Sequence, residues 1–109
     1  MTTLDRIKAH LTNPANVGEW PHVRKKFVTA NGIKVSIQQS RFHYCSLQSF
    51  LVADHLGNNP PPDTSRAATV EMWSCPHLPM LDEYGGESDP YARVPLSVVA
   101  AYIDELEKA

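Results

Sequence analysis

Two runs of period-two alternation meet at Asn31-Gly32, and this constrains the chain more than any other feature. Phe27-Val28-Thr29-Ala30 precedes the pair and Ile33-Lys34-Val35-Ser36-Ile37-Gln38 follows it. Asn-Gly tolerates the positive backbone angles of a two-residue type I′ turn, so the sequence predicts a β-hairpin here. Ile33, Val35 and Ile37 point to one side and Lys34, Ser36 and Gln38 to the other, which predicts a sheet with one buried and one wet face.

A helix is predicted ahead of the hairpin. Thr2 or Thr3 can cap it, Asp5 suits its positive end, Leu4, Ile7 and Leu11 share a face, and Asn13-Pro14 stops it. Residues 14–24 read as an irregular connection anchored by Trp20. Leu47 to Leu56 fits a strand or a short helix, and periodicity does not separate them. Gly57-Asn58-Asn59-Pro60-Pro61-Pro62-Asp63 reads as a loop, because consecutive prolines neither continue a helix nor donate to a sheet ladder. Ala67 to Ser74 reads as a further strand, with Thr69, Glu71 and Trp73 facing opposite to Val70 and Met72. Residues 76–95 form a proline-rich excursion with about one helical turn near Leu78 to Tyr84 and acidic groups at Asp82, Glu83, Glu87 and Asp89. Pro95 then suits the first turn of a closing helix whose apolar stripe is Val98, Val99, Tyr102, Ile103 and Leu106. The fold expected is α+β: a small antiparallel sheet of three to four strands, with the Asn-Gly hairpin, packed against N- and C-terminal helices.

The chain has 109 residues, which suits one domain over 1–109 with a single core. It is 42% hydrophobic and 20% charged with a formal charge of -2, a globular balance that disfavours a general nucleic-acid coat. Runs such as Val98-Val99-Ala100-Ala101 are too short to span a membrane, and residues 1–20 lack the pattern of a signal peptide, so a cytoplasmic location is expected. Two cysteines in such a chain are expected as thiols, although a Cys45 to Cys75 bridge stays open.

Chemistry-bearing side chains concentrate where the central strand ends, at Arg41-Phe42-His43-Tyr44-Cys45-Ser46, and again at Trp73-Ser74-Cys75-Pro76-His77. Zinc would take His43, Cys45, Cys75 and His77, but one residue inside each pair is fewer than the two to four that let a chain wrap the ion. Buried thiols and hydrogen-bonded imidazoles explain the same residues without metal or other cofactor. A nucleophile reading makes Cys45 or Ser46 the attacking group, with His43, His55 or His77 as base and Asp54 orienting it; no elbow motif or phosphate-cradling glycine loop supports it. Arg24-Lys25-Lys26, with His22, Lys34 and Arg41, reads either as a solvated strand edge or as a patch for phosphate groups beside the aromatic faces of Phe42, Tyr44, Trp73 and Tyr91. The residues assigned to ligand binding are Arg41, His43, Tyr44, Cys45, Ser46, Trp73, His77 and Arg93.

Three of these stretches resemble a group of small phage and prophage accessory proteins. In that group an alternating strand ends in His-Tyr-Cys-Ser-Pro-Arg, a Val-Glu strand follows, and Tyr-x-x-Val-Pro opens a closing helix. The counterparts here are Val35 to Ser46, Thr69 to Trp73 and Tyr91-Ala92-Arg93-Val94-Pro95, within residues 33–46, 67–75 and 91–106. Leu47-Gln48 stands where the group has Pro-Arg, so an anion contact made by that arginine is lost here or moved to Arg41, Arg66 or Arg93. The resemblance implies a non-enzymatic viral protein acting in the host cytoplasm by binding. Its expected partner is a host defence protein, such as a CRISPR effector met through the acidic 82–89 patch, or a small nucleotide-derived immune signal. A catalytic or zinc-holding Cys/His domain and a nucleic-acid-binding accessory are the alternatives. The oligomeric state stays open, a homo-oligomer included.

Overall fold

The computed structural model describes residues 1–16, 24–39, 45, 68–85 and 90–108. Their order is α1 (Thr3–Thr12), a 3-10 turn (Pro14–Asn16), β1 (Phe27–Val28), β2 (Lys34–Gln38), β3 (Thr69–Trp73), a second 3-10 segment (Pro79–Tyr84), β4 (Tyr91–Pro95) and α2 (Leu96–Glu107). The strands form one sheet in the order β1-β2-β3-β4, and every neighbouring pair is antiparallel. Sheet and terminal helices make the expected α+β architecture. Among the described residues no helix is long and apolar enough to cross a membrane.

Helix α1 begins as its first residues dictate. The Asp5 amide donates to Thr2 Oγ1 at 3.1 Å and the Thr2 amide donates to Asp5 Oδ2 at 3.2 Å, a reciprocal capping box. The Thr2 side chain and then the Thr2 amide, hydrogen-bonding the carboxylate, lower the Asp5 pKa. Ile7 and Leu11 are buried, with Leu4 packed beside them. Helix α2 buries Leu96, Val99, Tyr102, Ile103 and Leu106. Val35, Ile37, Val70, Met72, Tyr91 and Val94 join both helices in one core, so the helices cover one face of the sheet. Each large aliphatic side chain sealed there contributes about 1.5–3 kcal/mol.

Four features differ from the sequence reading. Asn31-Gly32 is not a two-residue type I′ turn. The Gly32 amide donates to the Thr29 carbonyl at 3.0 Å and the Thr29 amide to the Ile33 carbonyl at 2.9 Å, giving a three-residue loop. Gly32 holds the positive φ of 85° and Asn31 does not share it, which is the geometry of a tight turn followed by a glycine bulge. The side chain of Asn31 is used elsewhere: its Nδ2 donates to the Leu106 carbonyl at 2.9 Å, satisfying an acceptor in the last turn of α2.

Secondly, the polar side of β2 is not wet along its length. Ser36 is 8% and Gln38 4% exposed. Gln38 earns its burial by a reciprocal pair with the Arg24 backbone, accepting from its amide and donating to its carbonyl, each at 2.8 Å. Thirdly, part of the proline-rich excursion is a strand: β4 pairs with β3 from Thr69↔Pro95 to Met72↔Tyr91. Pro95 is therefore the last residue of β4 and the N-cap of α2 rather than part of the helix. The Leu96 amide donates to the Ala68 carbonyl at 2.9 Å, so Thr69 and Pro95 face each other as a non-hydrogen-bonded pair. The amide that proline lacks would have pointed off the sheet edge. Fourthly, Arg24 is a brace rather than part of an open basic patch. Its Nε donates to the Leu11 carbonyl at 3.0 Å and its NH1 to the Gln39 carbonyl at 2.5 Å, tying the end of α1 to the end of β2.

His10 gives the fold a pH dependence. Its ring meets Phe27 edge-on at 5.5 Å, and Asn16 Nδ2 lies 3.3 Å from its Nδ1. Burial lowers its pKa, outweighing an opposing hydrogen bond with the Lys25 backbone, and the Arg24 charge lowers it slightly further. The unfolded chain then takes up a proton before the folded one does. Stability is full above the ordinary histidine value of 6.5 and is lost as pH falls through the lower folded value. Thermal unfolding followed from about pH 8 to about pH 5 should show Tm falling across this window, with a shallower fall in His10→Gln. Parallel curves for the two proteins would remove His10 as the cause.

Candidate functional site

The outer face of the sheet, opposite the helices, is set by strand alternation. Met72 and Ile37 pair and enter the core, so Trp73 and its partner Ser36 point outward. Phe27 pairs with Val35 in the core, so Val28 and its partner Lys34 point outward as well. Trp73 is 45% and Val28 55% exposed, and Lys34 is exposed between them in the strand order. Lys26 precedes the buried Phe27 and is exposed too; alternation puts it on the outer side. Farther along the face Gln38 pairs with Glu71 and is buried. Among the described residues, the exposed side chains at this corner of the face are therefore one indole, one valine and two lysines.

A second cluster lies on the helix side, where β3 ends and β4 begins. Ser74 leaves β3 with φ of 50°, a left-handed turn that costs a non-glycine residue about 1–2 kcal/mol. That turn carries Cys75, Pro76 and His77 away from the outer face. Tyr102 of α2 donates its hydroxyl to the Pro76 carbonyl and hydrogen-bonds the Cys75 thiol. His77 lies nearly parallel to Tyr91, with ring centroids 6.0 Å apart, and its Nδ1 is 2.7 Å from the Tyr91 hydroxyl. Its Nε2 is 2.7 Å from Asp82 Oδ1 in the 3-10 segment. Burial raises the pKa of both tyrosines, with nearby Cys75 adding to it, so both hydroxyls keep their protons. One hydrogen bond thus joins the Tyr91 hydroxyl to Nδ1 and a second contact joins Nε2 to Asp82.

Carboxylate, imidazole and hydroxyl stand in the order used to activate a nucleophile. Here the hydroxyl belongs to Tyr91, which is 6% exposed and holds its proton more firmly than usual. Burial also raises the Cys75 pKa, with the Tyr102 bond opposing it, so this thiol is held in its inert form. The arrangement clasps residues 74–82 onto β4 and α2.

The residues singled out from sequence fall in different places. Trp73 is on the outer face, while His77 is in the clasp on the helix side. Arg93 is exposed in β4 with φ of 52°, at a bulge where Ala92 and Arg93 stand against Glu71. Cys45 is 2% exposed, and its thiol lies close enough to Arg24 to affect that guanidinium. Cys45 and Cys75 are both free thiols. Arg41, His43, Tyr44 and Ser46 lie outside the described residues, as do the 47–56 segment, Trp20, His22, Asp54, His55, Arg66, Glu87 and Asp89. Among the described residues no group of three or more His, Cys, Asp or Glu side chains is placed to hold a metal ion. Asp82 entered the sequence reading only as part of an acidic patch and Tyr102 only as part of an apolar stripe. No local pattern links residue 77 to 91 or 75 to 102, so neither contact had a sequence signal.

A scan against protein-family models matched none, and no curated protein or solved structure matched the chain.

Proposed function

We propose that this chain is a non-enzymatic binding protein of phage or prophage type, that it antagonises a host defence system, and that it binds through the open corner of its outer sheet face. The observation that carries the binding reading is Trp73, 45% exposed on a regular strand. Indole combines a large apolar surface with one hydrogen-bond donor, and tryptophan is enriched among the residues that dominate binding energy. Val28 enlarges the same corner, and Lys34 gives it charge. The defence role is supported by the resemblance of residues 33–46, 67–75 and 91–106 to phage accessory proteins.

The test uses phage plating on bacterial hosts carrying active defence systems. Expression of the chain should raise plating on at least one host, and Trp73→Thr should return it to the vector level. Threonine keeps the strand preference, so stability should change by about 1 kcal/mol or less. Binding should fall about 30-fold, as expected for losing a hot-spot side chain. Plating at the vector level across the whole panel would defeat the defence reading; rescue untouched by Trp73→Thr would defeat the proposed surface.

A catalytic Cys/His domain is the second reading, and the Asp82–His77–Tyr91 line favours it. It ranks lower because the hydroxyl and thiol in that cluster are buried or half-buried and both hold their protons.

A further inference from the structure

We propose that the open corner of the outer face takes a small nucleotide, with its base stacked on Trp73 and its phosphate held by Lys34 and Lys26. The inference rests on the reading of that face as the binding surface and names the chemistry of its ligand. Three observations carry it.

The first is the pairing of an aromatic face with cations at a suitable spacing. Trp73 and Lys34 sit on adjacent strands, offset by two residues through Ser36. Strand geometry puts their backbones roughly 8 Å apart. An ammonium on a flexible stem spans the distance that a ribose places between base and phosphate, across Ser36, a small residue that is itself 8% exposed. Stacking on indole accepts any base, because every base has a π-face.

The second is charge segregation in a chain whose formal charge is -2. Among the described residues, the strands and the segments flanking them carry Arg24, Lys25, Lys26, Lys34 and Arg93 against the carboxylate of Glu71. The acids Asp5, Asp104, Glu105 and Glu107 lie on the helices beside the cations Arg6, Lys8 and Lys108, and Asp82 and Glu83 lie on the 3-10 segment. Among the described residues the positive excess therefore lies with the strands and their flanking segments, and it attracts an anion.

The third is the limited extent of the open area. One step along the strands from Trp73 and Ser36, on the same face, stand Gln38, which is buried, and Glu71, which is half-buried. A polynucleotide following the strands would meet a closed, carboxylate-bearing region after a single base. The corner suits one base with its phosphate rather than a strand.

The test is isothermal titration of the full chain with AMP, GMP and UMP, with adenosine and sodium phosphate as partial ligands and a ten-residue oligothymidylate as the strand arm. At least one nucleotide should bind with one-to-one stoichiometry, and adenosine and phosphate should each bind more weakly. Trp73→Thr should weaken nucleotide binding about tenfold or more, the effect of losing one base–aromatic stack. Lys34→Gln, an exposed position, should weaken it and reduce its salt dependence. Three results would overturn the inference: no binding of any nucleotide, binding that both substitutions leave unchanged, or binding to the oligonucleotide tighter than to each nucleotide. Absence of nucleotide binding together with loss of plating rescue in Trp73→Thr defeats this inference and leaves the surface in place. Rescue that survives Trp73→Thr defeats the reading on which it rests.

Discussion

Tyr102→Ala should destabilise the fold by about 3–5 kcal/mol, the usual cost of truncating a fully buried aromatic ring. Tyr102 has no exposed surface, and its ring is part of the core shared by both helices and the sheet. Its hydroxyl reaches the Pro76 carbonyl and the Cys75 thiol, so one residue of α2 fixes the segment leaving β3. A domain of this size holds about 5–15 kcal/mol in all. The loss is thus a large share of the total and should lower Tm by about 15 °C or more. Tyr102→Phe separates the two contributions. It keeps the ring and removes the hydrogen bonds, and should cost about 1–2 kcal/mol. Urea titration of the three proteins measures both differences. An alanine variant within about 1 kcal/mol of the parent would show that the ring is not sealed in the core.

Glu107→Ala should cost about 2–3 kcal/mol, more than a surface ion pair is worth. Its carboxylate receives Arg6 through three contacts of 2.7 to 3.0 Å and the Ala30 amide at 2.6 Å. The side chains of Arg6 and Glu107 are 30% and 17% exposed, so neither group is fully screened by water. Arg6 also lies over the Phe27 ring, 5.7 Å from its centroid. Removing the carboxylate leaves that guanidinium and the turn amide without this acceptor, and the turn between β1 and β2 loosens from α2. A double-mutant cycle with Arg6→Met should give a coupling of about 1–2 kcal/mol. Additive losses would show that the turn amide, not the arginine, is the important partner.

Much of the fold is visible in short stretches of sequence. Thr2 and Asp5 specify the start of α1 through contacts three residues apart, and a 3.6-residue stripe marks the buried side of α2. Alternation in Val70-Glu71-Met72-Trp73 puts Glu71 and Trp73 on the side opposite to Val70 and Met72. The strand at Tyr91 to Pro95 was hidden for two physical reasons. Its bulge at Ala92-Arg93 breaks the period of two, and its terminal proline looks like a helix start.

The candidate site was less legible. Trp73, Lys34 and His77 stood out by residue type, yet their grouping did not follow from type. The left-handed turn at Ser74 sends His77 to the opposite side of the sheet from Trp73. Asn31 illustrates the same limit: local chemistry assigns it to a turn, whereas its side chain completes a helix end 75 residues away.

Sequence periodicity and capping chemistry determined α1, β2, β3 and α2 and which residues of β3 share a side, because these depend on neighbours within a few positions. Tertiary structure alone decided that Arg24 braces α1 against β2, that Tyr91 and Tyr102 clasp residues 76 and 77, and that two lysines share a corner with Trp73. Those outcomes depend on strand register and on which faces remain open once the core has closed. Both are set by contacts between residues far apart in the chain.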